Sequence, residues 1–288
     1  MSFDALPPAE IAFEAEEVGA AKAALDTMTT FALAVLAGAF IAMGAAFATN
    51  TLAGTSPLAY GVARLLGGLA FSLGLILVVV AGAELFTGNN LVVIAWASRR
   101  VSTLQLLRNW VVVYVGNFAG AVATAALLFV ARQYEFGNGE VGETALAIAQ
   151  TKTGYGFAQA IALGMLCNAL VCLAVWLSYS ARSTADKILA IVPPITAFVA
   201  AGFEHSVANM FFIPFALFVK SDSDFVAAHG PSGLAQVTRA DFLTRNLVPV
   251  TIGNVIGGGL MVGAVYWFVY LRRRRVATPE RHMPAAGR

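Results

Sequence analysis

The sequence predicts an all-α membrane protein with six transmembrane helices arranged as an inverted 3+3 repeat. Three observations predict this fold: the composition, the lengths of the apolar runs, and a polar motif that occurs twice. Hydrophobic residues make up 59% of the 288-residue chain and charged residues only 12%, about half the charged fraction usual in soluble domains. The 18 basic and 16 acidic residues nearly balance, so the charge gives no indication of nucleic-acid binding.

Six apolar runs separate the charged residues of the chain. They cover approximately residues 28–48, 65–98, 109–131, 153–181, 188–219 and 246–271. Two of them are too long for one straight span, because residues 65–98 and 188–219 would each extend about 50 Å as continuous helices, whereas the hydrocarbon core is about 30 Å thick. We therefore predict that the second and fifth transmembrane helices are broken at mid-membrane.

The same polar motif lies at each predicted break. Its shared glycine, glutamate and asparagine are Gly82, Glu84 and Asn89 in the first run and Gly202, Glu204 and Asn209 in the second. Glu84 and Glu204 are the only charged residues in their runs. Broken helices in matching positions of two halves indicate the pathway of a transporter.

The repeat extends to the third and sixth spans. Both spans begin with Arg-Asn and continue with Gly-Asn and Gly at identical spacing, at residues 108–120 and 245–257. Three spans in each half place the second half upside down relative to the first, with a pathway between the halves. We interpret the glycines of these spans as contacts that allow close helix packing.

The chain is predicted to have three parts. Residues 1–26 form an amphipathic helix outside the bilayer, residues 27–272 form the six-span channel domain, and residues 273–288 form a basic tail. The acidic N-terminal segment is the reverse of a signal peptide's basic start. Twelve Lys and Arg residues fall on the side of both termini and six on the other, which predicts cytoplasmic termini. The N-terminal helix is either a solvated leader or a lid on the inner mouth.

The polar residues at the breaks are the candidates for chemistry. Free N–H groups at the start of a half-helix attract anions, and Thr87 would add a hydroxyl. A carboxylate facing the pore would repel an anion, so we expect Glu84 and Glu204 to accept hydrogen bonds from the loosened backbone. Asn89 and Asn209 are expected to support the same loops, with a pore contact of Asn209 as the alternative.

His205 is the only histidine predicted at membrane depth. It is either a hydrogen-bonded core residue or a titrating group, since histidine titrates near pH 6.5. Because it lies beside a break, we favour the second interpretation: a weak-acid anion takes a proton there and continues as a neutral molecule.

Lys152, at the outer start of the fourth span, is by spacing alone an interface anchor. Spacing alone likewise predicts that four apolar residues are core or lipid-facing, namely Phe71, Leu75, Phe86 and Phe198.

Two alternatives share part of this pattern. An aquaporin-type channel for neutral solutes would have the same architecture, but such channels usually carry a cationic filter and neither break contains a basic residue. A haem-binding subunit would need two axial histidines at membrane depth, and we expect one. No metal or other cofactor and no enzymatic activity are predicted.

The motifs resemble those of the formate/nitrite transporter family over nearly the whole chain. The matching segments are residues 81–88, residues 167–176, residues 202–210 and residues 248–254. Within the family, the chain is most similar to the bacterial formate channels. Gly88-Asn89-Asn90 departs from the Ser-Thr-Val expected in that subgroup, which leaves the preferred anion open.

The resemblance implies an aquaporin-like protomer in a homopentamer of the bacterial inner membrane, each protomer with its own pore. It implies pH-dependent passage of formate or of related small anions (nitrite, lactate, acetate, hydrosulfide), together with protons. His205 would be the central pore histidine and Thr87 the hydroxyl on the first break, and Lys152 would draw anions into the outer vestibule. The resemblance also implies further pore residues: pore-lining Asn168 and Asn209, and constrictions formed by Phe71, Leu75, Phe86 and Phe198.

Overall fold

A computed structural model describes residues 5–230, 234 and 237–273. Every regular element in these ranges is helical, which confirms the all-α prediction. The helices are α1 (Pro8–Ala24), α2 (Thr27–Leu52), α3 (Tyr60–Ala81), α4 (Gly88–Ala97), α5 (Thr103–Val130), α6 (Glu140–Thr153), α7 (Phe157–Tyr179), α8 (Thr184–Ala200), α9 (Ser206–Lys220), α10 (Ser223–His229) and α11 (Arg239–Leu271). Apart from residue 273, the predicted tail at 273–288 lies outside the described residues.

Five of these helices are long and apolar enough to cross a membrane, namely α2, α3, α5, α7 and α11. The 26 residues of α2 extend about 39 Å. The helices α4 and α9 are apolar but shorter. The arrangement as six spans with cytoplasmic termini therefore stays a prediction.

Each long apolar run contains a non-helical segment. After α3 the chain leaves the helix at Gly82 and resumes at Gly88, and after α8 it turns at Gly202 before α9 begins at Ser206. Gly82 and Gly202 have φ angles of +79° and +76°, a left-handed conformation in which a side chain is strained. These shared glycines end the helices at the two places where the motif repeats.

The two halves pack in the same way. In the first half α2 lies against α3 and α5, and in the second half α7 lies against α8 and α11. The contacts depend on glycine, because a Cβ atom at Gly120 would lie 2.0 Å from the Val35 carbonyl oxygen, and one at Gly257 would lie 2.1 Å from that of Met165. The interpretation of these glycines as packing contacts is confirmed.

We expect Gly120→Ala to lower the stability of the folded protein by about 1–3 kcal/mol, because the methyl group forces α2 and α5 apart. The measurement is thermal unfolding of the purified protein in detergent. Gly61→Ala in α3 is the matched control, since a Cβ atom there has nothing within 4 Å. Equal melting temperatures for the two variants would contradict this account of the packing.

Candidate permeation pathway

Two cavities enter the helix bundle from opposite faces. The first, which we call the α1 vestibule, has a volume of about 510 Å³ and is lined by Lys22, Glu84 and Leu75 among others. The second, the α6 vestibule, has a volume of about 290 Å³ and is lined by Lys152, Phe71 and His205 among others. Of the described residues, none lines both cavities. A constriction therefore separates them.

Thr87 and His205 meet in this constriction. The Thr87 Oγ1 atom lies 2.9 Å from His205 Nε2, and both side chains are buried. Thr87 comes from the break before α4 and His205 from the break before α9, so this hydrogen bond joins the two halves. The sequence predicted both residues as site residues but did not predict that they touch.

The hydrogen bonds of His205 define its protonation state. The Ala208 backbone N–H donates to His205 Nδ1 at 3.0 Å, so this nitrogen carries a lone pair and the imidazole acts as the N-cap of α9. The single proton of a neutral imidazole is then on Nε2 and is donated to Thr87 Oγ1. Protonation of Nδ1 would break the cap, so the resting form is neutral.

Aromatic rings cover His205 on the side of the α6 vestibule. The Phe198 ring is stacked on the imidazole with centroids 5.9 Å apart, and the Phe71 ring meets Phe198 edge-on at 5.6 Å. Both phenylalanines line this vestibule, whereas Leu75 lines the α1 vestibule. These three residues lie on either side of the Thr87–His205 pair, and their role in two apolar constrictions stays a prediction.

Phe86 packs among other aromatic rings, unlike Phe71, Phe198 and Leu75, which line the vestibules. Its ring packs edge-on against Tyr114 at 4.8 Å and Trp110 at 6.3 Å, and it is not one of the described residues that line either vestibule. The preceding residue, Leu85, lines the α1 vestibule instead. Sequence reasoning missed Leu85, although its place directly after Glu84 matches that of His205 after Glu204.

The expectation that the two glutamates bind the loosened backbone was wrong. Glu84 Oε1 accepts from Lys22 Nζ at 2.7 Å and its Oε2 accepts from Asn89 Nδ2 at 2.6 Å. Glu204 Oε1 accepts from Lys152 Nζ at 2.8 Å and its Oε2 accepts from Asn209 Nδ2 at 2.7 Å. Each carboxylate is buried, and an ammonium group compensates its charge.

Asparagines of α5 and α11 hold the backbone of the breaks instead. Asn117 accepts from the Phe86 N–H at 2.9 Å and donates to the Glu84 carbonyl at 2.9 Å. Asn254 accepts from the Ser206 N–H at 2.9 Å and donates to the Glu204 carbonyl at 3.0 Å. An amide side chain both donates and accepts, whereas an ionised carboxylate only accepts, so asparagine suits a break with both kinds of free group.

The repeat also includes the short helices that precede each half. Lys22 near the end of α1 pairs with Glu84, and its carbonyl accepts from Asn109 Nδ2 at 3.4 Å. Lys152 near the end of α6 pairs with Glu204, and its carbonyl accepts from Asn246 Nδ2 at 2.9 Å. The two networks are thus equivalent, one in each vestibule.

Asn168 and Asn209 are buried within hydrogen-bond networks. Asn168 Nδ2 donates to Asn90 Oδ1 at 2.9 Å and to the Asn254 carbonyl at 2.7 Å. Within the described part of the chain, the Oδ1 atoms of Asn168 and Asn209 have no hydrogen-bond partner. Their role as pore-lining residues stays a prediction.

Helix α1 lies against α4 and contributes residues to the α1 vestibule. An ion pair between Glu17 and Arg100 connects it to the segment after α4. The hydrogen bond from Arg100 lowers the pKa of Glu17 below its usual range, so this attachment is present at neutral pH and is lost as the pH falls through the lowered pKa. The structure therefore places α1 beside the mouth, as the lid interpretation requires, and gating by α1 stays a prediction.

A bundle of apolar helices with two vestibules that end at one buried polar pair is the architecture of a membrane channel or transporter. The chain belongs to the formate/nitrite transporter family, which it matches over residues 9–268. This confirms the resemblance seen in the motifs.

Several formate channels are similar to this chain over most of their length. The chain is 47% identical to the formate channel FocA of Escherichia coli K12, covering 94% of this chain and 96% of the relative. It is 41% identical to the formate channel FocA of Haemophilus influenzae, covering 91% and 94%. Among solved structures, a pentameric formate channel with formate bound has a TM-score of 0.80 and 45% identity, covering 85% of this chain and 98% of that one.

Proposed function

We propose that this protein is a channel for formate and related small weak-acid anions, with one pore in each protomer of a homopentamer. The observation that carries the proposal is the Thr87–His205 hydrogen bond at the constriction between the two vestibules. Similarity to the formate channels of two bacteria supports formate as the permeant. The pentameric formate channel of similar structure supports the assembly.

The constriction favours a neutral permeant. A carboxylate that enters it leaves water for a site covered by Phe71 and Phe198, where an unpaired charge is expensive. Formic acid has no such charge. His205 lies at the point where the anion must become neutral, and its Nε2–H and the Thr87 hydroxyl are the groups within reach of the permeant.

Proton transfer at His205 is coupled to the helix cap. The ring becomes an imidazolium by taking up one proton from water in a vestibule, and since an imidazolium carries protons on both nitrogens, its formation releases the Ala208 N–H from Nδ1. Transfer of the Nε2 proton to the anion, with the remaining proton on Nδ1, leaves a neutral acid and a neutral imidazole. Transfer of that proton from Nδ1 to Nε2 restores the resting tautomer and the cap. Each turnover thus moves one proton with one anion.

We propose that the α1 vestibule faces the bacterial cytoplasm and the α6 vestibule faces the periplasm. The positive-inside distribution of Lys and Arg supports this orientation. Four basic residues lie on the same side of the protein as α1, where the anionic lipid headgroups of the inner leaflet would be. They are Arg99, Arg100, Arg182 and Lys187.

The test is uptake of radiolabelled formate by proteoliposomes between pH 5 and pH 8, with unlabelled nitrite, acetate, lactate and hydrosulfide as competitors. We expect formate uptake to rise as the pH falls, because each anion enters with a proton. Strong inhibition by one competitor would identify a preferred anion other than formate. Uptake no faster than in protein-free liposomes at every pH would contradict the proposed function.

A further inference from the structure

The α6 vestibule has one more cation than its ion pair accounts for. Of the described residues, three charged ones line it, namely Arg64, Lys152 and Glu204. Lys152 and Glu204 form an ion pair of 2.8 Å whose side chains are 14% and 2% exposed. Since these charges compensate each other at close range, the net positive charge of the cavity is that of Arg64.

Arg64 is held in place by neutral groups. Its Nε–H donates to the Ala200 carbonyl at 3.2 Å, and its Nη2 donates to the Val199 carbonyl. These carbonyls belong to the last turn of α8, where backbone oxygens have no partner within the helix. A helix C-terminus carries only about half a negative charge. Arg64 therefore keeps most of its positive charge available.

The position of Arg64 suits a site in front of the constriction. It lies seven residues before Phe71 on α3, so both face the same side about two turns, or 10 Å, apart. It also lies beside the second break, because a Cβ atom at Gly202 would be 3.5 Å from its Nη2. Within the described residues, both N–H groups of Nη1 have no hydrogen-bond partner.

We propose that Arg64 is the residue that docks the permeating anion in the α6 vestibule, whereas Lys152 stabilises the second break through Glu204. The ligand is a small monovalent oxyanion, because a guanidinium offers a planar pair of N–H donors that matches a carboxylate. This inference rests on the proposed function. It assigns to Arg64 the attraction that the resemblance implies for Lys152.

The test compares equilibrium exchange of radiolabelled formate in proteoliposomes that contain the full-length protein or its variants. With equal formate on both sides, the one-way fluxes through each pore are equal, so the orientation of the protomers does not matter. At about 20 mM ionic strength we expect Arg64→Gln to exchange formate roughly three- to tenfold more slowly than the parent protein. In about 500 mM potassium gluconate the difference should fall below about twofold, because salt screens the charge.

Two further variants separate charge from structure. Arg64→Lys keeps the charge but loses the guanidinium N–H groups that pair with a carboxylate and hold α8, so docking predicts an exchange rate between those of the parent protein and Arg64→Gln. Arg239→Gln removes an exposed charge at the start of α11 on the same face and should leave exchange unchanged. All variants are first checked for the parent's oligomeric size in detergent.

Several outcomes would overturn the inference. One is an Arg64→Gln variant with the parent's exchange rate at low salt. Another is an equal loss in Arg64→Gln and Arg64→Lys that salt does not change, since this would show that Arg64 only fixes the end of α8. A parent protein that exchanges no formate would refute the proposed function itself, and the docking role of Arg64 with it.

Discussion

Lys152→Met is expected to destabilise the protein by about 3–5 kcal/mol. The substitution removes the ammonium group that pairs with Glu204 Oε1 at 2.8 Å and leaves a carboxylate whose side chain is only 2% exposed. Loss of one partner from a buried ion pair costs this much because the remaining charge has neither water nor a counter-charge. The measurement is thermal or denaturant unfolding in detergent, with the pentamer fraction followed by size-exclusion chromatography.

The double variant Lys152→Met with Glu204→Gln is the decisive control. Glutamine removes the stranded charge and keeps an oxygen that accepts from Asn209 Nδ2 and Asn246 Nδ2. We expect the double variant to recover most of the stability that the single variant loses, with a coupling energy of at least about 1 kcal/mol. A single variant as stable as the parent protein, or a double variant with the summed losses of the two single variants, would show that the pair does not stabilise the break.

The equivalent pair in the α1 vestibule allows a graded comparison. Lys22 and Glu84 are 24% and 7% exposed, more than their counterparts in the second half. Water therefore reaches this pair more easily, and an unpaired carboxylate is less costly there. Lys22→Met should accordingly destabilise the protein less than Lys152→Met does.

The positions of the two breaks were predictable from the sequence because backbone geometry fixes them. A helix of more than 30 apolar residues does not fit the bilayer, and glycine adopts the positive φ that ends α3 and α8. Spacing also identified the packing glycines, since only glycine lets two backbones approach so closely. These features depend on one residue type at one position, which a repeated motif reveals.

The partners of the polar residues were less predictable, because they come from distant parts of the chain. The carboxylates were assigned to the backbone because their actual partners, Lys22 and Lys152, lie 62 and 52 residues away from them along the chain. One signal was present in the sequence. Each lysine lies five residues before the first residue of the next long helix, Thr27 or Phe157, so the repeat begins one short helix earlier than the spans suggest.

His205→Asn is expected to reduce proton-coupled formate movement by roughly 10- to 100-fold while the protein still assembles. Asparagine is a good N-cap, so its Oδ1 replaces Nδ1 as the acceptor for the Ala208 N–H. The variant therefore keeps the start of α9 and loses only the titratable ring. The expected loss reaches at most the low end of the roughly 100- to 10,000-fold that a positioned acid contributes to a proton transfer.

The measurement pairs net uptake of radiolabelled formate down a concentration gradient with proton uptake, recorded by a pH-sensitive dye trapped inside the proteoliposomes. In the parent protein we expect one proton for each formate between pH 5 and pH 8, and in His205→Asn we expect the slow residual flux to lose its rise at low pH. His205→Phe should show the same functional loss together with about 1 kcal/mol of lost stability, because the cap and the Thr87 bond are both removed.

Thr87→Val distinguishes the role of the imidazole ring from that of the hydroxyl group bonded to it. This variant keeps the imidazole and its cap but removes the Oγ1 atom that accepts from Nε2. If the histidine ring transfers the proton, Thr87→Val should retain the proton-to-formate ratio of the parent protein and lose mainly rate. A parent-like ratio and pH dependence in His205→Asn would instead mean that the permeant acquires its proton in the vestibules, and that the imidazole serves only as the cap of α9.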